Sequence, residues 1–288
     1  MIPDGTLCPF LIEIGVMTAD GKVRAAKYDK FRQINRFLEL VNDVVAEFDT
    51  DKTIRVVDFG CGKSYLTFAL HHLLTSIHRL PVIITGLDLK PDVIEHCNLV
   101  ARKLNCSGLE FQQGDIASYQ GAESVDLTVS LHACDTATDD AIATAIRWKC
   151  DAILAVPCCQ HEICQSIGRQ TLPGLTEFGI LKERFASLAT DAMRAQFLEL
   201  HGYRTQVLEF IETEHTPKNL LIRAVRRDAA DQADQKSKRH RYEQLKEVLG
   251  LSTHPQVPLL LVLLTFHSRS SVQVKATKPT HPLVSVSL

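Results

Sequence analysis

Residues 56–70 read VVDFGCGKSYLTFAL: an apolar strand, a turn with two glycines, then an apolar helical run. Three kinds of turn share parts of this text. A phosphate-binding loop sets four residues between its first glycine and a Gly-Lys pair. Counting back from Gly62 and Lys63, that place holds Val57. A dinucleotide-binding turn wants a small residue three positions after its second glycine, for close helix packing. Here that residue is the bulky Tyr65. What remains is a D-x-G-x-G turn at the end of a strand, with Gly60 and Gly62 letting the backbone approach a ligand closely.

Outward from the turn, strands and helices alternate. IRVVDFG is a strand and KSYLTFALHHLLTSIH a helix. VIITGLDL is a strand, and PDVIEHCNLVARKLN a helix with Pro91 suited to its first turn. LEFQQGDI and VDLTVSLH are further strands, followed by a helix at TDDAIATAIRWK and a strand at DAILAVP. This rhythm predicts a parallel sheet with helices on both faces. A helix near 191–201 then leads to QVLEFIE and NLLIRAV, joined so closely by TEHTPK that they pair antiparallel. The fold class is α/β and Rossmann-like: a seven-stranded, mostly parallel sheet with an antiparallel last strand.

Ahead of this unit, residues 27–48 carry Phe31, Ile34, Leu38, Val41, Val45 and Phe48 at helical spacing. The other face carries Lys30, Arg32, Gln33, Arg36 and Glu39. Residues 1–26 read as a short extended segment with a turn at TADGK. Residues 228–250 read as a basic helix with Lys236, Lys238, Arg239, Arg241 and Lys246, and 251–288 as a poorly ordered tail. The expected organisation is a helical extension over 1–50, a catalytic unit over 51–227, the basic helix and the tail.

The partners of the glycine turn decide its ligand. Asp58 closes the first strand, Asp88 the second (GLDLK) and Asp115 the third (QQGDI). Open sheets bind ligands at these strand ends. Asp58 could meet an ammonium group, Asp88 both hydroxyls of a ribose and Asp115 an adenine amino group. Together they describe S-adenosyl-L-methionine (AdoMet), an amino acid joined to a nucleoside. Gly60, Cys61, Gly62, Leu89, Ile116 and Ser130 complete the expected donor site. The competing reading makes each acid a helix cap or turn residue.

Length and composition bound the rest. The chain has 288 residues and a formal net charge of −2, so a polyanionic partner would need a local basic patch. Its nine cysteines are irregularly spaced, and Pro3, Asp4 and Gly5 interrupt any early apolar run. Reduced thiols in a cytoplasmic protein are expected. VPLLLVLLTF (257–266) is too short to span a bilayer, and no membrane partner is expected.

Residues 50–227 resemble the class I AdoMet-dependent methyltransferases. More narrowly, LHACDTATDDAI (131–142) followed by VPCCQHEIC (156–164) resembles the paired segments of the eukaryotic tRNA acceptor-stem 2′-O-methyltransferases. KYDKFRQINRF and HTPKNLLIRA are similar to a methyltransferase family with rRNA-adenine-dimethylase-like and glutathione-transferase-like members. This chain has Asp135 where the tRNA enzymes have glycine. The resemblance implies a methyltransferase acting on RNA, either tRNA or rRNA. A protein or small-molecule acceptor, or a non-catalytic AdoMet-binding module, is the alternative.

The loop after the fourth strand would face the methyl group, with His132 or Asp135 as base or acceptor-orienting group. Capping of the next helix is the plainer role for Asp135. After the fifth strand, His161 would contact the acceptor, and Cys158 and Cys159 would shape its pocket. Zinc binding fits these spacings poorly, so no metal is expected; a thiolate nucleophile and inert buried thiols are the other readings. His215, Lys218 and Asn219 would close the rim or touch phosphate, or lie solvated in a turn. Lys63 could touch the ligand's carboxylate or simply start a helix.

Overall fold

The computed structural model describes residues 1–116, 119, 124–131, 136–158, 160–168, 171–210, 219–227 and 232–251. Its centre is β1 (Ile54–Phe59), buried at every position except Arg55. Parallel pairing flanks it on both sides: β2 (Val82–Asp88) on one and β4 (Leu127–Ser130) on the other. With β3 (Leu109–Gln113), β5 (Ala152–Ala155), β6 (Tyr203–Glu209) and β7 (Leu220–Arg226), the sheet has the order β3-β2-β1-β4-β5-β7-β6. Only β7 runs antiparallel to its neighbours, β5 and β6. The connections reverse direction between β1 and β4, which opens a crevice beyond their C-terminal ends.

Alternation along β1 divides the core. Ile54 and Val56 join one apolar cluster, Val57 and Phe59 the other. The first cluster is covered by α1 (Pro9–Glu13), α2 (Tyr28–Val45), α3 (Tyr65–His72) and α4 (Pro91–Lys103). The six apolar residues expected on one helical face of 27–48 are all buried in it. The second cluster is covered by α5 (Thr136–Trp148), α8 (Gly179–Leu200) and α9 (Gln232–Val248), with short α6 (His161–Ser166) and α7 (Pro173–Thr176) between α5 and α8 in sequence.

Two segments differ from the sequence reading. Residues 1–26 are not simply extended: Pro9 opens α1, which buries Phe10 and Leu11. Proline suits that first helical position because its missing N–H has no intrahelical partner there. The TADGK turn does form, pinned by Thr18 N–H donating to Lys22 O at 2.8 Å. The helix ahead of β6 starts at Gly179, well before residue 191. Its first turns expose Ile180 and Leu181, so no clean apolar period announces its start.

The polar helix α9 is held by Tyr242, which is fully buried, and by Leu249 and Leu251 beyond its end. The Tyr242 hydroxyl has no hydrogen-bond partner among the described residues, and burial holds its pKa well above normal. Tyr242→Phe should therefore leave stability within about 0.5 kcal/mol of wild type or raise it, because a buried, unpaired hydroxyl is removed. Tyr242→Ala should cost about 3–5 kcal/mol in urea unfolding. Equal losses in both variants would contradict this packing.

Candidate functional site

Asp58 is the second-last residue of β1 and shares the face of Ile54 and Val56. Its carboxylate is 3% exposed. One oxygen, Oδ2, accepts a hydrogen bond of 2.5 Å from the Thr67 hydroxyl on α3. The other, Oδ1, is buried with no hydrogen-bond partner among the described residues. Burial pushes the Asp58 pKa up to about 7, against the Thr67 hydrogen bond and with help from the nearby Asp88 charge. An orphaned buried acceptor costs roughly 1–3 kcal/mol, so this oxygen is ready for a donor.

The glycine turn follows directly. Gly60 and Gly62 have φ of 69° and 51°, the left-handed region that glycine adopts without strain. Cys61 N–H donates to Leu87 O at 2.9 Å, and Gly62 N–H to Asp88 Oδ2 at 3.0 Å. Asp88 Oδ1 accepts from Lys90 N–H, also at 3.0 Å. Asp88 thus staples the turn after β1 to the end of β2. Each oxygen still keeps a lone pair for an incoming hydroxyl. The turn role and the ligand role, set against each other in the sequence reading, can coexist on this residue.

Asp58, Gly60, Cys61, Lys63, Ser64, Tyr65, Leu66, Leu131 and Lys30 line a cavity of about 270 Å³. Leu89, beside Asp88, is 66% exposed, an apolar side chain standing in solvent at a strand end. Asp115 is exposed, and its charge is felt at Asp140 on α5, whose pKa is raised chiefly by burial. The structure therefore brings Asp58 and Asp88 together around one turn and sets Asp115 towards the start of α5. Ile116 packs partly into the second core cluster. Ser130 ends β4, buried, with its hydroxyl unpaired among the described residues.

Several expected residues sit elsewhere or outside the described set. His132, Asp135, Cys159, His215 and Lys218 lie outside the described residues, as does the side chain of His161, which opens α6. Cys158 is half-buried just past β5. Asn219 is 3% exposed, and its carbonyl accepts the Phe210 N–H at 2.8 Å. It is thus a buried anchor of the β6–β7 connection, not a solvated turn residue. Among the described residues no group of three or more His, Cys, Asp or Glu could hold a metal ion, and no helix is long and apolar enough to cross a membrane.

Two features escaped the sequence reading. Lys30, assigned to the solvent face of α2, lines the cavity instead. Its Nζ lies 5.1 Å from the Tyr65 ring centroid. It occupies the helix's first turn, where the N-terminus reaches the sheet edge, and periodicity alone cannot reveal that contact. The second is a buried ionic cluster. Arg194 is fully buried; its Nε donates to Asp139 at 2.6 Å and its Nη1 to Asp191 at 3.1 Å. The Gln160 amide lies 3.3 Å from Asp191 Oδ2. Asp139, in the first turn of α5, is committed to this cluster.

Residues 29–166 match a family model described as "Methyltransferase domain". These residues form a methyltransferase domain. Among curated proteins, the chain is similar to the "Glutathione S-transferase C-terminal domain-containing protein" of Homo sapiens. It is 24% identical over 233 residues, which cover 72% of this chain and 34% of that protein. The mouse (Mus musculus) counterpart is 25% identical over 234 residues, with the same coverage. The chain thus spans about a third of the length of these relatives. Among solved structures it is similar to the magnesium protoporphyrin IX methyltransferase of Synechocystis PCC 6803 with bound SAH. That match has 18% identity and a TM-score of 0.42, and covers 73% of this chain and 90% of the other. A putative RNA methyltransferase of Pyrococcus horikoshii matches at 10% identity and TM-score 0.41, covering 67% and 84%.

The cofactor of the domain is AdoMet, and the cavity fits it. The unpaired Asp58 Oδ1 matches an ammonium group, the glycine turn leaves room for the backbone to approach, and Asp88 keeps lone pairs for ribose hydroxyls. When bound, AdoMet supplies an electrophilic methyl group on a sulfonium.

The raised pKa of Asp58 has a stability sign. Its folded value of about 7 exceeds the unfolded model value of 3.8. The group favours the free fold at low pH, and that contribution is lost as pH rises from about 4 through 7. Free wild-type protein should therefore lose stability between pH 5 and 8, and Asp58→Asn should lose less, in parallel thermal melts. Binding of S-adenosylhomocysteine (AdoHcy) by the wild type should tighten about tenfold from pH 6 to pH 8, as Asp58 ionises to meet the ammonium. An affinity flat across that range would contradict the ammonium–Asp58 contact.

Proposed function

We propose that this methyltransferase modifies RNA, tRNA or rRNA, in the cytoplasm. The observation that carries the proposal is a set of lysines around the cavity without acidic partners. Lys30 and Lys63 line it, and Lys27 lies close enough to lower the proton affinity of Lys30. Among the described residues none of the three has an acid within ion-pair distance. The arginines in and just after β7 are engaged instead: Arg223 with Asp43, Arg226 with Asp151, Arg227 with Glu47. An acceptor bearing phosphates would supply negative charge to Lys27 and Lys63, the exposed members of the set. The paired segments at 131–142 and 156–164 support the same acceptor by resemblance.

In this reading the domain's chief work is alignment. Asp58 and the turn hold the donor's amino-acid end, Asp88 and Asp115 its nucleoside, and Leu89 offers an apolar surface to the base. Ser130 and Leu131 lead the chain into the loop of His132 and Asp135. One of those two takes the acceptor's proton or orients the acceptor, as an in-line transfer to a hydroxyl requires. His161, behind β5, contacts the acceptor or its phosphate. Cys158 and Cys159 shape the pocket wall, and His215 and Lys218 reach the phosphate from the β6–β7 connection. Asn219 holds that connection. The unit 51–227 would do this work with the helical extension 1–50 and the helix of 228–250 at its flanks.

Purified protein incubated with tritiated-methyl AdoMet and separate tRNA, rRNA and protein pools tests the assignment. Label should enter an RNA pool and be released by ribonuclease. Apparent RNA affinity should fall about tenfold or more between 50 and 200 mM salt, as expected for a few phosphate contacts. Label confined to protein would overturn the RNA acceptor. AdoHcy binding with no labelled pool would favour a non-catalytic binding module.

A further inference from the structure

The donor cavity holds two unmatched charges of opposite sign. Asp58 leaves Oδ1 buried and unpaired. Lys30 is half-buried on the same cavity, and the only hydrogen-bond acceptor its Nζ reaches among the described residues is the neutral Gln33 side chain, at 2.7 Å. Among the described residues no ion pair joins Lys30 to an acid, Asp58 included. Tyr65 supports the ammonium from one side, its ring centroid 5.1 Å from Nζ, within cation–π range. A half-buried lysine without a counter-ion is costly to keep. Burial, and the neighbouring Lys27, indeed lower its pKa. A cavity with one unpaired acid and one separate unpaired cation is complementary to a zwitterion.

We propose that Lys30 binds the α-carboxylate of the donor while Asp58 binds its α-ammonium, so that the cavity selects ligands with an intact amino-acid end. This rests on AdoMet being the donor. It assigns to the first turn of α2 a specificity role. Lys63, the other lysine on the cavity, is exposed and remains solvated, so it is not the principal carboxylate partner. Tyr65, whose bulk argued against a dinucleotide turn, gains a function: it fixes the Lys30 side chain over the cavity. Nucleosides that share the adenosine and thioether but lack the carboxylate would leave Lys30 uncompensated and bind weakly.

Calorimetry with two probes tests this. AdoHcy has both charged groups, whereas 5′-(3-aminopropylthio)-5′-deoxyadenosine keeps the amine and lacks the carboxylate. Wild-type protein should prefer AdoHcy by about 10- to 100-fold, the range for one charge-assisted hydrogen bond. Lys30→Met should weaken AdoHcy by a similar factor and leave the decarboxylated probe within about threefold, which erases the preference. Lys30→Arg should restore much of it. Equal weakening of both probes by Lys30→Met would mean that Lys30 only supports the fold, and no weakening of either would remove it from the site. Loss of the preference in Lys63→Met but not in Lys30→Met would assign the contact to Lys63. Each of these outcomes overturns the proposal while leaving the AdoMet reading standing. Failure of wild type to bind AdoHcy at all would overturn both.

Discussion

A carboxylate buried at the end of the central strand, with only one of its two oxygens satisfied, organises this molecule. Side-chain alternation along β1 commits Asp58 to the face covered by α2 and α3, where water is excluded. Thr67 on α3 satisfies Oδ2 and so sets the register of that helix against the strand. The two left-handed glycines let the chain turn away from the strand without backbone strain. Asp88 then hooks the turn to β2 through the Gly62 N–H. Stability is given up at this point, as it commonly is at binding sites.

The opposite face handles buried charge differently. Arg194 sits between Asp139 and Asp191, and Gln160 adds its amide to Asp191. Burial raises the Asp191 pKa, but the guanidinium opposes it, and the charges pair with one another, while the neutral Gln160 Oε1 has no hydrogen-bond partner among the described residues. It ties the first turn of α5 and the residues after β5 to the long helix α8. The chain on either side of these anchors, 132–135 and 161, carries the residues assigned to the acceptor.

Much of the fold was legible in the sequence, because strand–helix alternation and a close antiparallel pair leave few topologies open. The buried face of α2 followed from spacing alone. The glycine turn was legible because two glycines at a strand end carry a specific backbone requirement, met by their left-handed φ. Other features were opaque for physical reasons. α1 is one short turn whose burial comes entirely from tertiary contacts, so its local pattern is weak. The Arg194 cluster joins residues 55 positions apart in sequence, and buried arginine on a helix looks like any exposed arginine in a linear text. Lys30 lies beside Phe31 at the edge of the apolar stripe, where the helical period does not distinguish solvent from a ligand cavity. Asp88 shows a further limit: the turn and ligand readings were weighed as rivals, yet the geometry permits both on one side chain.

The account turns on what completes the coordination of Asp58, and a crystal structure with AdoHcy bound tests that directly. The ligand's ammonium should lie within hydrogen-bond distance of Asp58 Oδ1, with the ribose hydroxyls on Asp88. Electron density placing the nucleoside elsewhere, or Asp58 still unpaired beneath a bound ligand, would contradict it.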